Sequence, residues 1–84
     1  MSSITYQVSE YSDEICIIAY KNRRVLKQLH IEHTNEVGSF LNTFCGEGAD
    51  GGFDGIEITK KEVVAIMNKA KSLGVATKTS TVQY

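Results

Sequence analysis

The sequence predicts an α+β fold, in which a mostly antiparallel sheet of four to five strands carries two helices on one face. Two observations support this prediction. Three strand-like segments open the chain, and two segments with helical spacing of apolar residues follow, each of them succeeded by a further strand-like segment. The predicted order is therefore βββαβαβ, and a run of strands with the helices gathered after it is typical of a sheet covered on one side.

The size and composition limit the chain to one small domain. It has 84 residues, 42% of them hydrophobic and 23% charged, with a formal net charge of −1. We predict a single compact domain over residues 1–84, without a linker or a targeting segment. No apolar run approaches the roughly 20 residues of a membrane span, so we expect a cytoplasmic protein without a membrane partner. A large multi-substrate enzyme is excluded by length.

The first three strands follow from alternation of apolar and polar residues. Ile4, Tyr6 and Val8 alternate with polar neighbours, which predicts a strand with one wet face. The run from Glu14 to Tyr20 is apolar on both faces and predicts a central, buried strand. Alternation returns from Val25 to His33, so the second and third strands should form a hairpin.

The hairpin turn falls within residues 21–24, where Asn22 is the residue that best tolerates a positive φ. Turns of two, three or four residues all remain open, because the second strand is apolar on both faces and does not fix the register.

The first helix is predicted from about Asn35 to Cys45. Thr34 can cap its amino end, and Gly46 can end it in the left-handed conformation. Apolar residues lie at spacings of 0, 3, 4, 7 and 8, which places them on one helical stripe. They are Val37, Phe40, Leu41, Phe44 and Cys45.

The second helix follows a short strand at residues 56–58 and begins after Thr59, which forms a capping box with Glu62. Gly74 should end it. Its apolar stripe contains Val63, Ile66, Met67, Ala70 and Leu73. A last strand is expected from Val75 to Tyr84. For the core, we expect contacts of Phe40, Phe44 and Ile66 with Ile17 or Ile18.

Catalytic chemistry is not expected from the cysteines and histidines. Cys16 and Cys45 are not spaced as a Cys-x-x-Cys pair, and both are interpreted as reduced core thiols. His30 and His33 should lie on opposite faces of a strand, so they cannot share a metal ion. His30 and Glu32 share a face, but no nucleophile or anion-stabilising motif accompanies them. We therefore predict that the protein is not an enzyme.

A glycine-rich acidic loop separates the first helix from the short strand. It spans residues 46–55 and holds five of the seven glycines. Asp50 and Asp54 resemble the first acids of an EF-hand loop, but the bidentate acid at the twelfth position is replaced by Lys61. We therefore expect no metal and no other cofactor. Asp50, Asp54 and the lone aromatic Phe53 are instead candidate partner contacts.

A basic cluster is opposite in charge to the acidic loop. Lys21, Arg23, Arg24 and Lys27 supply four of the nine basic residues and surround the predicted hairpin turn. Such a cluster can bind phosphates or an acidic protein surface. The near-zero net charge favours protein over nucleic acid, because nucleic-acid-binding domains are usually basic.

The functional expectation is a non-catalytic module that binds and regulates a larger protein or nucleoprotein complex, as phage-encoded inhibitors, anti-CRISPR proteins and toxin immunity proteins do. It is based on small size without a catalytic motif. Two alternatives remain open: nucleic-acid binding through the basic hairpin, and cation binding through the acidic loop.

Overall fold

A computed structural model describes residues 4–45 and 55–81 of the chain. It contains five strands and two helices in the predicted order. In chain order these are β1 (Thr5–Glu10), β2 (Glu14–Lys21), β3 (Arg24–Glu32), α1 (Asn35–Cys45), β4 (Ile56–Ile58), α2 (Lys60–Leu73) and β5 (Thr77–Thr81). The α+β prediction is confirmed. Neither helix in the described ranges is long and apolar enough to cross a membrane.

The five strands form one sheet with the order β4-β1-β2-β3-β5, and every neighbouring pair is antiparallel. The apolar β2 occupies the centre, as its sequence predicts, because only a strand with neighbours on both sides and little solvent contact favours so many β-branched residues. β5 is shorter than the predicted last strand, and residues 82–84 of that prediction lie outside the described part of the chain.

Both helices begin at the residues that their capping signals predict. The Thr34 hydroxyl accepts a hydrogen bond from the amide of Val37 at 3.1 Å, and the Thr59 hydroxyl accepts one from the amide of Glu62 at 3.3 Å. Thr59 also donates to the Glu62 carboxylate at 3.0 Å, which completes the capping box. α2 ends at Gly74, whose φ of 73° satisfies a left-handed cap.

The core lies between the helices and one face of the sheet. The largest side chains with less than 2% exposure are Ile15, Ile31, Leu41, Ile66, Val8 and Val37. The sequence predicts Phe40 and Phe44 in the core together with Ile66; Ile66 belongs to it, whereas both phenylalanines are only partly buried and pack against its margin. Their ring centroids lie 5.1 Å apart in an edge-to-face arrangement, so the two rings pack against each other at the margin of the core. The smaller Leu41 is fully buried in the interior.

Two further expectations about the core are settled by the register. Ile17 belongs to the core, whereas Ile18 lies on the other face of the sheet and is half-buried. Met67 was expected on the buried stripe of α2, but 38% of its surface is exposed. The buried residues of α2 are therefore Val63, Ile66 and Ala70, and Met67 lies beside this buried stripe.

Candidate functional site

The β2–β3 hairpin closes with a two-residue turn at Asn22 and Arg23. Lys21 and Arg24 form the last pair of the ladder, and the turn residues have φ values of 53° and 66°. Positive φ at both central positions is the pattern of a type I′ turn, whose twist matches that of the flanking strands. The structure thus selects the shortest of the turns that the sequence left open, and Asn22 adopts the positive φ expected of it.

Arg23 is the unusual residue of this turn. Glycine is strongly preferred at its position, because a side chain with a Cβ is crowded in the left-handed region. An L-residue held there costs on the order of 1 kcal/mol. The sequence therefore has an arginine where the turn geometry favours glycine.

The cations around the turn are exposed and unpaired within the described structure. Lys21, Arg23, Arg24 and Lys27 are all solvent-exposed. No carboxylate in residues 4–45 and 55–81 forms an ion pair with any of them. Their charge is therefore available to a partner rather than consumed in holding the hairpin together.

A β-bulge interrupts the hairpin and determines the face of the sheet on which Lys27 lies. Ala19 pairs with Lys27, but Tyr20 pairs with Val25, so Leu26 is the extra residue on β3. The strict alternation predicted from Val25 to His33 fails at this point. Val25 shares a face with Tyr20, whereas Lys27 shares the helix-covered face with Ala19.

Charge is segregated along the three-stranded meander of residues 4–33. Its basic side chains are Lys21, Arg23, Arg24 and Lys27, and all of them lie at or next to the β2–β3 turn, which we call the tip end. Its acidic side chains lie at the other end, where β1 turns into β2 and β3 finishes; we call this the turn end. They are Glu10, Asp13, Glu14 and Glu32. The near-zero net charge of the chain therefore conceals a polarised three-stranded meander.

Histidines offset part of the acidic charge at the turn end. The His30 Nδ1 atom is hydrogen-bonded to the Glu14 carboxylate across the β2–β3 ladder. The His33 Nε2 atom contacts the Glu10 carboxylate at 2.9 Å. The two histidines thus use different carboxylates on opposite faces of the sheet, as their spacing predicts. Both contacts join segments far apart in sequence and fasten this end of the meander.

The contact between His30 and Glu14 was missed by sequence reasoning, which considered Glu32 as the partner of His30. Glu32 pairs with Glu14 in the ladder, and its carboxylate lies 3.5 Å from the amide of Ala76 instead. Only the register of β2 against β3 reveals the correct partner, and the sequence left that register open.

Cys16 lies directly across the ladder from His30, so the uncovered face brings a thiol, an imidazole and a carboxylate together. Burial, and secondly the negative charge of Glu14, raise the pKa of the Cys16 thiol. An activated nucleophile requires the opposite shift, towards the thiolate. The arrangement therefore favours a structural thiol over a catalytic one.

The remaining candidate residues from the sequence are Asp50, Phe53 and Asp54, which lie outside the described residues. The partial resemblance of their loop to a calcium site therefore stays a matter of sequence. Within residues 4–45 and 55–81, no group of three or more His, Cys, Asp or Glu side chains is arranged to hold a metal ion.

Comparisons with protein-family models, curated proteins and solved structures return no match for this chain. The candidate function consequently depends on the chemistry of the surface, and the tip end is the part of the described surface that folding explains least.

Proposed function

We propose that this chain is a small protein-binding module, an inhibitor or regulator that docks on a larger protein through its basic hairpin tip. The proposal places it in the functional class of phage anti-defence and immunity proteins and assigns it to the cytoplasm. The contact residues are Lys21, Arg23, Arg24 and Lys27, with Asp50, Phe53 and Asp54 of the glycine-rich segment as further candidates.

The observation that carries the proposal is the left-handed conformation of Arg23, with a φ of 66°. Backbone strain of this kind is concentrated at binding and catalytic sites, where the strained residue serves function rather than stability. A guanidinium at the apex of a two-residue turn projects from a rigid hairpin. It can form forked hydrogen bonds with a carboxylate, which lysine cannot do.

The partner surface should be acidic. Four exposed cations that form no ion pair within residues 4–45 and 55–81 attract an oppositely charged surface and accelerate its association. A nucleic acid would satisfy the same charges, but the tip is small and the whole chain has a net charge of −1. Nucleic-acid-binding domains usually have a strong positive balance. An acidic protein or the protein part of a nucleoprotein complex is therefore favoured.

The test begins with capture of the partner from a host lysate by the immobilised chain, with and without nuclease, and identification by mass spectrometry. The affinity of the purified partner is then measured for the chain and for a variant carrying Arg23→Glu and Arg24→Glu. We expect the double reversal to weaken binding by about 2 kcal/mol or more, which is about thirtyfold. The dependence of the affinity on salt should also decrease.

A matched control carries Lys61→Glu and Lys71→Glu, which change the net charge equally at exposed sites on α2. Their effects on the helix dipole have opposite signs, so stability should change little. Equal weakening by both double variants would indicate a general charge effect and contradict a tip-specific contact. Loss of capture after nuclease treatment would favour nucleic-acid binding instead.

A further inference from the structure

A second feature of the tip end is an apolar cavity between α2 and the sheet. It has a volume of about 200 Å³. Its floor is formed by Ile17, Ala19 and Leu29 from the two central strands. The floor is low at Ala19, because this small residue lies between Tyr6 and Lys27 in one row of cross-strand neighbours.

The helix supplies the wall of this cavity. Lys60, Val63, Val64 and Met67 line it at spacings of 0, 3, 4 and 7, which is one stripe along α2. Val64 is 47% exposed and Met67 is 38% exposed. Apolar side chains gathered around a concavity are typical of a binding site, whereas isolated exposed apolar residues need no such explanation.

The charges around the cavity are of one sign. Lys27 from β3 and Lys60 from the first turn of α2 belong to its lining, and both are exposed. Among residues 4–45 and 55–81, no acidic side chain lines the cavity. The carboxylate of nearby Glu62 is held by Thr59 in the capping box. An occupant with an apolar group and a negative head would therefore find both of its requirements satisfied.

We propose that this cavity binds a small amphipathic carboxylate, with the apolar chain over Ala19 and the carboxylate at Lys27 or Lys60. An engineered cavity of about 150 Å³ accommodates benzene, so the space here suits an apolar group on the order of six to eight carbons. A protein segment would require a longer groove. Lys27 is shared with the proposed function, but Arg23 and Arg24 do not line the cavity, so the two proposals can fail separately.

The test is an NMR titration of the full chain with octanoate. We expect chemical-shift changes confined to the residues that line the cavity, among them the methyl groups of Ala19, Val63, Val64 and Met67, with a dissociation constant of about 1 mM or tighter. Octylamine has the same chain with a positive head and should bind about tenfold more weakly. Acetate has the same head without the chain and should give no localised shifts.

Three variants locate the site. Ala19→Leu fills the cavity and should abolish octanoate binding. Met67→Gln replaces part of the exposed wall with an amide and should weaken binding at least about threefold, and it decides the matter if Ala19→Leu does not fold. Lys27→Gln with Lys60→Gln should weaken binding about tenfold, whereas Lys61→Gln with Lys71→Gln should not.

Absence of octanoate binding would overturn the proposal. Binding that persists unchanged in Met67→Gln and in folded Ala19→Leu would do the same, as would shifts spread over the whole surface. Equal affinity for octanoate and octylamine would contradict the role of the lysines.

Discussion

The two ends of the meander differ in whether their charged side chains have partners within the described structure. At the turn end, Glu14 contacts His30 of β3 and Glu10 contacts His33, which follows β3, so histidines distant in sequence engage two of its carboxylates. At the tip end, the described structure gives Lys21, Arg23 and Arg24 no ion pair. The backbone follows the same division, since the positive φ values of non-glycine residues within the described ranges occur at the tip.

The difference separates structural from functional polarity within one meander. Polar groups that stabilise a fold find partners inside the molecule, because an unpaired group gains nothing from the folded state. We propose that an external partner explains the cations of the tip end, which are exposed, form no ion pair among the described residues and surround a left-handed arginine. The tip end is accordingly the functional end of the proposed module.

The largest expected effect concerns packing at the turn end. Ile15 is fully buried, so Ile15→Ala should lower the free energy of unfolding by about 3 kcal/mol. Leu26 lies half-buried in the bulge near the tip, and Leu26→Ala should cost about 1 kcal/mol or less. Urea denaturation followed by circular dichroism measures both values. Equal losses would show that the two ends are equally well packed and would contradict the expected difference between Ile15 and Leu26.

The second effect concerns the reactivity of the thiol at the turn end. Because burial and Glu14 raise the pKa of Cys16, less of it is thiolate at a given pH, and alkylation should continue to accelerate to higher pH than for an unstructured cysteine. At pH 8 we expect the rate at which iodoacetamide modifies Cys16 to be lower by a factor of about ten or more than the rate for a cysteine in a short peptide. Mass spectrometry of digested samples gives the rate.

Two comparisons sharpen this measurement. The pKa of Cys45 is also raised, first by burial and then by Glu62, but Cys45 is half-buried and should react faster than Cys16. Glu14→Gln keeps an acceptor for His30 and removes the negative charge, so it should accelerate alkylation of Cys16 without changing Cys45. A Cys16 rate equal to that of the peptide would disprove the buried, acidic environment assigned to it.

Much of the fold follows from the sequence because its signals are local. The capping residues Thr34 and Thr59 fix where the helices begin, and Gly74 fixes where α2 ends. The errors arise where tertiary packing decides between equivalent positions. Periodicity places Phe40 and Leu41 on the same stripe, but only the distance of each from the sheet determines that Leu41 is buried and Phe40 is not.

The candidate site was predictable in part. The cluster of cations around Arg23 and Arg24 is visible in the sequence, and so is the tolerance of Asn22 for a left-handed turn. The strain at Arg23 depends on the length of the turn. The sequence does not determine this length, because β2 is apolar on both faces and the bulge at Leu26 shifts the register. The contact of His30 with Glu14 and the cavity over Ala19 depend on register and helix placement, so no local pattern reveals them.

The smallest effect is the most direct test of the division between the two ends. Arg23→Gly should raise the free energy of unfolding by about 0.5 to 1 kcal/mol, because glycine relieves the left-handed strain, although its greater freedom in the unfolded chain offsets part of the gain. For a domain of this size the midpoint of thermal unfolding should rise by roughly 4 °C. Differential scanning calorimetry measures the shift.

Arg24→Gly is the matched control, because it removes the same side chain from the adjacent position, where φ is not positive. Glycine within a strand is destabilising, so Arg24→Gly should lower the free energy of unfolding by about 0.5 to 1 kcal/mol. Both variants should weaken binding to the partner, since each removes a guanidinium from the tip. If Arg23→Gly instead destabilised the protein as much as Arg24→Gly, the arginine would contribute to folding. A binding role at the expense of stability would then be contradicted, because it requires the same substitution to increase stability and decrease affinity.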